Sequence, residues 1–444
     1  MKKKIRVAQL LEDFPFKLRK NVDIIIENNI ITHIKSADNA DNNLYEFYNF
    51  DSLLCTPGFI QPHIHLCQTL FRGLADDVEL LDWLNKYIFP LEFAHNEKSI
   101  AISSKIGISE LFRCGTTTIM DMGALNHEEI IIDEVEKSGL RAFLGKAMMD
   151  INNSYPKYKE TTKESIEKSI SLANYISKKN NTRLKYAFAP RFILSCSDEL
   201  LIETYKLHND IKGTLFHSHA SENKNELQAV INRTGKRNIE IFYDMGLLGN
   251  TTCLAHCIWL NENEIELLKD TDTKVLHCPS SNLKLGSGIA NIPEYISRGI
   301  TLSIAADGAP CNNNLNILTE MRLAALIQKI KSPTIISAKQ IFEIATIGGA
   351  KTLHKENEIG SIEIGKKADL VFWDLNKIQN PLINDDLNSI LSTIVYSSSN
   401  DNIDSVMIDG EFVIKNKVNL RYDEEEIIKE GKEELRNVIR RSGI

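Results

Sequence analysis

The 444-residue chain predicts an α/β protein, a (β/α)8 TIM barrel with a small β-sandwich domain formed by both chain ends. Three observations carry that expectation. The length suits a barrel of roughly 250 to 400 residues with a modest second domain. β-like runs without intervening helices lie near both ends. Between them, short apolar strands alternate with amphipathic helices, the pattern of a parallel sheet.

In chain order, Val22-Asp23-Ile24-Ile25-Ile26 and Ile30-Ile31-Thr32-His33-Ile34 flank the turn Glu27-Asn28-Asn29 and read as a hairpin. In the middle region, Thr116 to Asp121 reads as a strand and Glu128 to Lys137 as the helix after it. β-like runs return at Ala368 to Trp373 and at Val406 to Ile414, the latter with a hairpin turn at Asp409-Gly410. The stretch Asp423 to Arg441 is charged and helical in pattern, a solvated helix packed on one face. The simplest division is a first β-sandwich part over 1–56, the barrel over 57–365, a second sandwich part over 366–422 and a C-terminal helix over 423–444. There is no internal repeat and no low-complexity linker.

Composition narrows the function. Net charge is −8, with acidic and basic residues interleaved, which argues against nucleic acid and for a small-molecule substrate. No apolar run approaches the ~18 to 20 residues that a membrane span requires. The basic start Met1-Lys2-Lys3-Lys4 is followed by further charges before any apolar segment develops, so a cytoplasmic location is expected. A homo-oligomer is compatible with the sequence. Eight cysteines without CxxC spacing suggest neither a disulfide framework nor a cysteine zinc site. Cys253 and Cys257 flank His256 closely enough to raise a Cys/His metal site, against the plainer reading of buried thiols on a core strand.

The strongest local signal is Pro57-Gly58-Phe59-Ile60-Gln61-Pro62-His63-Ile64-His65. On a strand, residues two apart share a side, so His63 and His65 can bind one metal. Such a pair needs partners, and barrel enzymes carry catalytic groups at strand ends. His217-Ser218-His219-Ala220-Ser221-Glu222, Leu254-Ala255-His256, Val275-Leu276-His277-Cys278-Pro279 and Ala305-Ala306-Asp307-Gly308 each close an apolar run with a polar group.

The series PGFIQPHIH, HASE, AHC, HCPSSN and ADGAPCNNN resembles the amidohydrolase superfamily, and within it the deaminase and chlorohydrolase branch. The resemblance covers essentially the whole chain, including the closing Ile359 to Leu370. It implies a metal held by His63, His65, His219 and Asp307, with Glu222 and His256 in the proton-transfer shell. One divalent ion, Zn2+ or alternatively Fe2+, then activates water for attack on an aromatic ring carbon. In that reading Asp307 accepts the water's proton, His256 orients the nucleophile, and Glu222 protonates a ring nitrogen and the leaving amine. A structural role for Glu222 as a carboxylate at a helix N-terminus is the alternative. His217 is expected behind the metal or simply packed, and His277 carries no assigned role. No lysine at a strand end suggests a bridging carbamate, which favours one metal over two.

Two sets of substrate motifs pull in different directions. Gln68 to Ala75, Trp83, Phe89-Pro90-Leu91-Glu92 and Glu320 to Ala324 are similar to deaminases of adenosine derivatives, in which a glutamate at the place of Glu92 binds the ribose diol. A buried ion pair is the other reading of Glu92. Gly145 to Asp150, Tyr158 to Thr162 and Ala189-Pro190-Arg191-Phe192 resemble guanine deaminases, in which residues matching Arg191, Phe192 and Gln68 hold the purine. The combination resembles the 5'-deoxyadenosine deaminase group most. This implies a metal-dependent aminohydrolase acting on a 5'-modified adenosine such as 5'-deoxyadenosine. The alternatives are guanine deamination and amino- or chlorohydrolysis of an s-triazine. From another class, a catalytically silent scaffold barrel should have lost its metal ligands, whereas all four candidates are present.

Overall fold

In the computed structural model, residues 2–39, 42–380 and 386–444 are described; Met1 of the basic start lies outside them. The chain separates into two compact units. One comprises Met1–Ile60, Ser109–Thr118 and Asn316–Asp423, and the other Gln61–Ile108, Ile119–Leu315 and Glu424–Ile444.

The first unit holds an eight-stranded mixed sheet drawn from both chain ends. The expected hairpin is present: Lys17–Glu27 pairs antiparallel with Ile30–Ser36, and Asn28 turns the chain with φ 58°, a left-handed conformation that Asn tolerates. Lys2–Glu12 lies between Lys17–Glu27, antiparallel to it, and Glu46–Pro57, parallel to it. The late segments Leu370–Trp373 and Ile403–Ile408 extend the same sheet. The Asp409-Gly410 turn then returns the chain as Glu411–Lys415. Alternating apolar positions of these strands (Ile5, Val7, Val22, Ile24, Leu370, Phe372 and Met407) form a single buried core, as period-2 patterning requires.

The parallel sheet has ten strands, the short Ala147–Met148 and Asp307–Gly308 and eight main ones: β1 Phe59–His65, β2 Thr116–Asp121, β3 Arg141–Leu144, β4 Leu184–Pro190, β5 Leu215–Ala220, β6 Thr252–His256, β7 Lys274–His277 and β8 Leu302–Ile304. They are ordered sequentially from β1 to β8. Two residues beyond β8, Asp307 and Gly308 pair with Ile64 and His65 of β1, so the last strand's continuation closes on the first. Helices follow most strands, for example Glu128–Ser138 after β2 and Asp198–Asp210 after β4. This is the closed barrel expected from the alternation. Every residue of β1 and β2 is buried, as in a sheet covered on both faces.

The C-terminal segment forms a helix, Glu424–Ser442, that buries Ile427, Gly431, Glu434 and Val438. A Cβ on Gly431 would stand 2.6 Å from Ile106, so glycine permits close approach to helix Glu97–Arg113. Lys98 pairs with Glu434 at 3.0 Å, and Arg441 Nε donates to the Ala94 carbonyl at 2.7 Å. No helix of the described residues is long and apolar enough to cross a membrane.

Candidate active site

The polar groups singled out at strand ends gather at one end of the barrel. His63 and His65 project from β1 to the same side, each with Nε2 3.2 Å from Asp307 Oδ1. His219 joins them from β5, and the four candidate ligand atoms lie within 4.8 Å of one another. That is close to the roughly 4 Å spread open to donors about 2 Å from one ion.

The surroundings fit a metal. Burial pushes His63 down to about 4 and holds His219 well below its usual range, which keeps both imidazoles neutral, the form that ligates. His63 Nε2 is buried without a hydrogen-bond partner. Two of the three outward nitrogens are tied down: His219 Nδ1 donates to the Arg191 carbonyl at 2.7 Å, and His63 Nδ1 shares a 2.7 Å hydrogen bond with His217 Nε2, whereas His65 Nδ1 is buried without one. Such outer bonds fix ring orientation and tautomer. His217 thus stands behind His63. Ser281 Oγ donates to Asp307 Oδ2 at 2.7 Å and leaves Oδ1 toward the histidines.

His256 closes β6 with Nδ1 2.8 Å from Asn282 Oδ1. The amide oxygen only accepts, so Nδ1 carries the hydrogen and Nε2 presents a lone pair. That Nε2 lies 3.5 Å from Glu222 Oε2 and 3.9 Å from Asp307 Oδ2. Burial, with the Asp307 charge next in weight, holds the Glu222 carboxyl well above the usual carboxylate range. His256 and Asp307 both have positive φ, 71° and 66°. For non-glycine residues this costs about 1 to 3 kcal/mol each and is characteristic of functional positions. The strain turns the chain where the strands stop and aims both side chains at the cluster.

A narrow cavity opens beside the cluster. It is lined by His65, His219, Glu222, His256 and Asp307, and by Gln68, Trp83, Arg191 and Phe192. Leu80, Leu84 and Leu285 add an apolar surface. The cavity therefore collects four of the five substrate candidates. Glu92 is not among its lining residues. It stands within a buried ion pair: Arg191 Nη1 donates to Oε2 at 2.7 Å, Arg191 Nη2 to Oε1 at 3.2 Å, and Gln68 Nε2 to Oε1 at 2.7 Å. Burial alone would raise the Glu92 carboxyl, but the Arg191 charge and these donors outweigh it and hold it below its usual value.

Several neighbours carried no expectation. Ser281 and Asn282 belong to HCPSSN, a motif whose position just after β7 was the available signal. Glu226, one turn beyond Glu222, lines the cavity; burial raises its carboxyl to about 7 although Asn238 donates to it. His277 is buried with neither ring nitrogen hydrogen-bonded and does not line the cavity. Lys146, just past β3, is also buried, and its ammonium is taken by Glu160 and the Ala147 carbonyl. All eight cysteines are buried thiols, Cys253 and Cys257 included.

A closed barrel with three histidines and an aspartate converging at its strand ends defines a metal-dependent hydrolase. The chain matches the amidohydrolase family over residues 54–413 and belongs to it. It is 35% identical over 433 residues to a 5'-deoxyadenosine deaminase of Methanobrevibacter smithii, covering 97% of each chain. It is 34% identical over 400 residues to a 5-methylthioadenosine/S-adenosylhomocysteine deaminase of Thermococcus sibiricus, covering 88% of this chain and 89% of that one. Among solved structures, a zinc-bound adenosine deaminase of Xanthomonas campestris superposes with a TM-score of 0.90 at 26% identity, covering 99% of this chain and 98% of that one.

Proposed function

We propose that this protein hydrolytically deaminates an aminopurine, with a 5'-modified adenosine such as 5'-deoxyadenosine as substrate and one Zn2+ as the metal. As a member of the amidohydrolase family with deaminase relatives, it is a hydrolase acting on carbon–nitrogen bonds. The observation that carries the reading is the cavity itself. Its lining brings proton-transfer groups and three of the four candidate ligands together with an arginine, a glutamine and two aromatic rings suited to a flat heterocycle. The nucleoside preference rests on the relatives, several of which are 5'-deoxyadenosine deaminases.

An ion held by His63, His65, His219 and Asp307 would supply Lewis-acid activation of water. The protein's own groups do the rest. Asp307 Oδ2 and the lone pair of His256 Nε2 are the bases facing the nucleophile's position. Glu222, whose carboxyl burial raises well above its usual range, delivers its proton to a ring nitrogen as oxygen adds to the ring carbon; it is recharged with the proton that Asp307 or His256 took from the water, passes that proton to the departing amine, and is restored by the remaining hydroxyl proton as the carbonyl forms. The carbon–nitrogen bond breaks to leave a ring carbonyl and ammonia. Phe192 and Trp83 supply aromatic faces for the ring, and the apolar surface keeps bulk water out.

A second reading, deamination of free guanine, is favoured by one observation: both Glu92 oxygens are engaged by Arg191 and Gln68, which leaves that carboxylate poorly placed for a ribose diol. An ammonia-release screen of the zinc-loaded protein decides. It should include 5'-deoxyadenosine, methylthioadenosine, adenosylhomocysteine, adenosine, guanine and aminotriazines. A nucleoside should give the highest kcat/KM. Guanine as the better substrate replaces the first reading with the second, and a triazine as the better substrate overturns both.

A further inference from the structure

The groups that hold the site's side chains from behind come from different places. His219 Nδ1 is held by the carbonyl of Arg191, just past β4, and His63 Nδ1 by His217 of β5. Asp307 and His256 are held instead by two consecutive residues of one short helix, Pro279–Lys284, which follows β7. Ser281 Oγ lies 2.7 Å from Asp307 Oδ2, and Asn282 Oδ1 lies 2.8 Å from His256 Nδ1. Both residues are buried, at 0% and 1% exposed.

The place of this helix explains how neighbours in sequence reach different strands. β7 lies between β6, which ends at His256, and β8, whose continuation carries Asp307. Successive residues of a helix point about 100° apart, so a turn standing on the end of β7 can send one side chain to each flank. Its backbone is fixed independently of those side chains. Asn282 N donates to the Cys278 carbonyl at 3.0 Å, Leu285 N to the Ser281 carbonyl at 3.0 Å, and Ser287 N to the Asn282 carbonyl at 2.8 Å. Serine and asparagine readily hydrogen-bond backbone groups close to them in sequence. Here each bonds a side chain 26 positions away.

We infer that Ser281 and Asn282 are positioning residues that set the two bases of the site from one helical turn, each for a different task. By donating to Oδ2, Ser281 fixes the plane of the Asp307 carboxylate, with Oδ1 3.2 Å from Nε2 of both His63 and His65. Oδ2 keeps a second lone pair for a proton. Asn282 Oδ1 can only accept, so it keeps the hydrogen of His256 on Nδ1 and leaves the Nε2 lone pair toward Glu222 and Asp307. His256 and Asp307 both stand at positive φ, a conformation that persists only where the surroundings over-determine it, and this one turn holds both. The inference rests on the roles given to Asp307 and His256 above and adds the residues that enforce them.

Zinc affinity, read by competition with a chelator, separates the two tasks when it is set beside kcat and KM for 5'-deoxyadenosine at saturating zinc. Ser281→Ala removes one donor and little volume, and it should weaken zinc by about 10- to 100-fold, the usual loss when a ligand's outer partner goes. Asn282→Leu keeps the volume and removes the acceptor. It should bind zinc as wild type does, with KM little changed, while kcat falls by about 10- to 100-fold. Asn282→Ala makes the same deletion without the branched bulk, so the acceptor is tested even if Asn282→Leu folds poorly. Both substitutions shifting zinc affinity and kcat alike, in step with unfolding stability, would make the turn merely structural and overturn the inference. Normal zinc affinity in Ser281→Ala, or normal kcat in Asn282→Leu or Asn282→Ala, overturns it too and leaves the proposed function standing. A zinc-loaded wild type that releases ammonia from no aminopurine overturns the functional reading and this role of the turn together.

Discussion

The candidate metal cluster and the substrate-candidate residues border one cavity and are built differently. Three of the four candidate ligands lie on barrel strands, and Asp307 lies in the two-residue bridge that closes the barrel. Their directions follow from strand period and, for Asp307, from a positive-φ turn. The substrate-candidate wall is assembled from the segment after β1, the short helices near Trp83 and Glu92, and the end of β4. Its key contacts join residues 24 and 99 positions apart. A site on strand ends is set by local geometry, whereas a wall built from separate segments is set by which side chain captures which partner.

The largest expected effect tests the cluster. Asp307→Ala or His63→Ala should abolish metal retention and activity, against close to one ion per chain in the unaltered protein, read by elemental analysis after dialysis. Two ions per chain, or full occupancy without Asp307, would show a different centre.

The wall should answer differently, in stability. Glu92→Gln strands a buried guanidinium and should cost about 3 to 5 kcal/mol, measured by denaturant unfolding. Because the folded Glu92 carboxyl sits below its usual value, its stabilisation is fully present above the unfolded value of about 4.3 and is lost as pH falls through the folded one. The gap between wild type and variant should therefore hold from pH 6 to 8 and narrow only in acid. A gap already closing at pH 6 would contradict the ion pair.

Between cluster and wall, Glu222→Gln should keep fold and metal but lose at least about 100-fold in turnover, since the amide preserves shape and cannot shuttle the proton. Near-normal turnover would remove Glu222 from the chemistry. The smallest effect expected is from Arg191→Lys, about tenfold in kcat/KM, because an ammonium cannot reproduce a planar fork bonded to both Glu92 oxygens. An unchanged value would mean that the ring edge is read elsewhere.

Much of the cluster was legible because its signals are local. His63 and His65 announce a shared side by spacing alone, and Glu222, His256 and Asp307 each follow an apolar run that ends in a polar residue. The partners of these groups were less so: Asn282 and Ser281 were visible only as part of a motif, and their roles depend on β7 ending beside β6 and beside the bridge at Asp307. Glu226 gave no signal, because an acidic residue in the first turn of a helix is ordinary, and only the packing of a second helix makes it a cavity wall.

The sequence by itself determined the parallel barrel, a small β unit drawn from both chain ends and the ligand types of the candidate centre, because strand period, turn chemistry and strand-end polarity are properties of short segments; that the β unit is one eight-stranded mixed sheet came from the tertiary structure. The tertiary structure alone decided the state of Glu92. In sequence it is a carboxylate free to grip a diol or to form an ion pair, with nothing nearby to choose between them. In the fold, Arg191 and Gln68 arrive from distant segments into the same water-poor space, where an unpaired guanidinium would be far more costly than in solvent, and their donors take up the carboxylate.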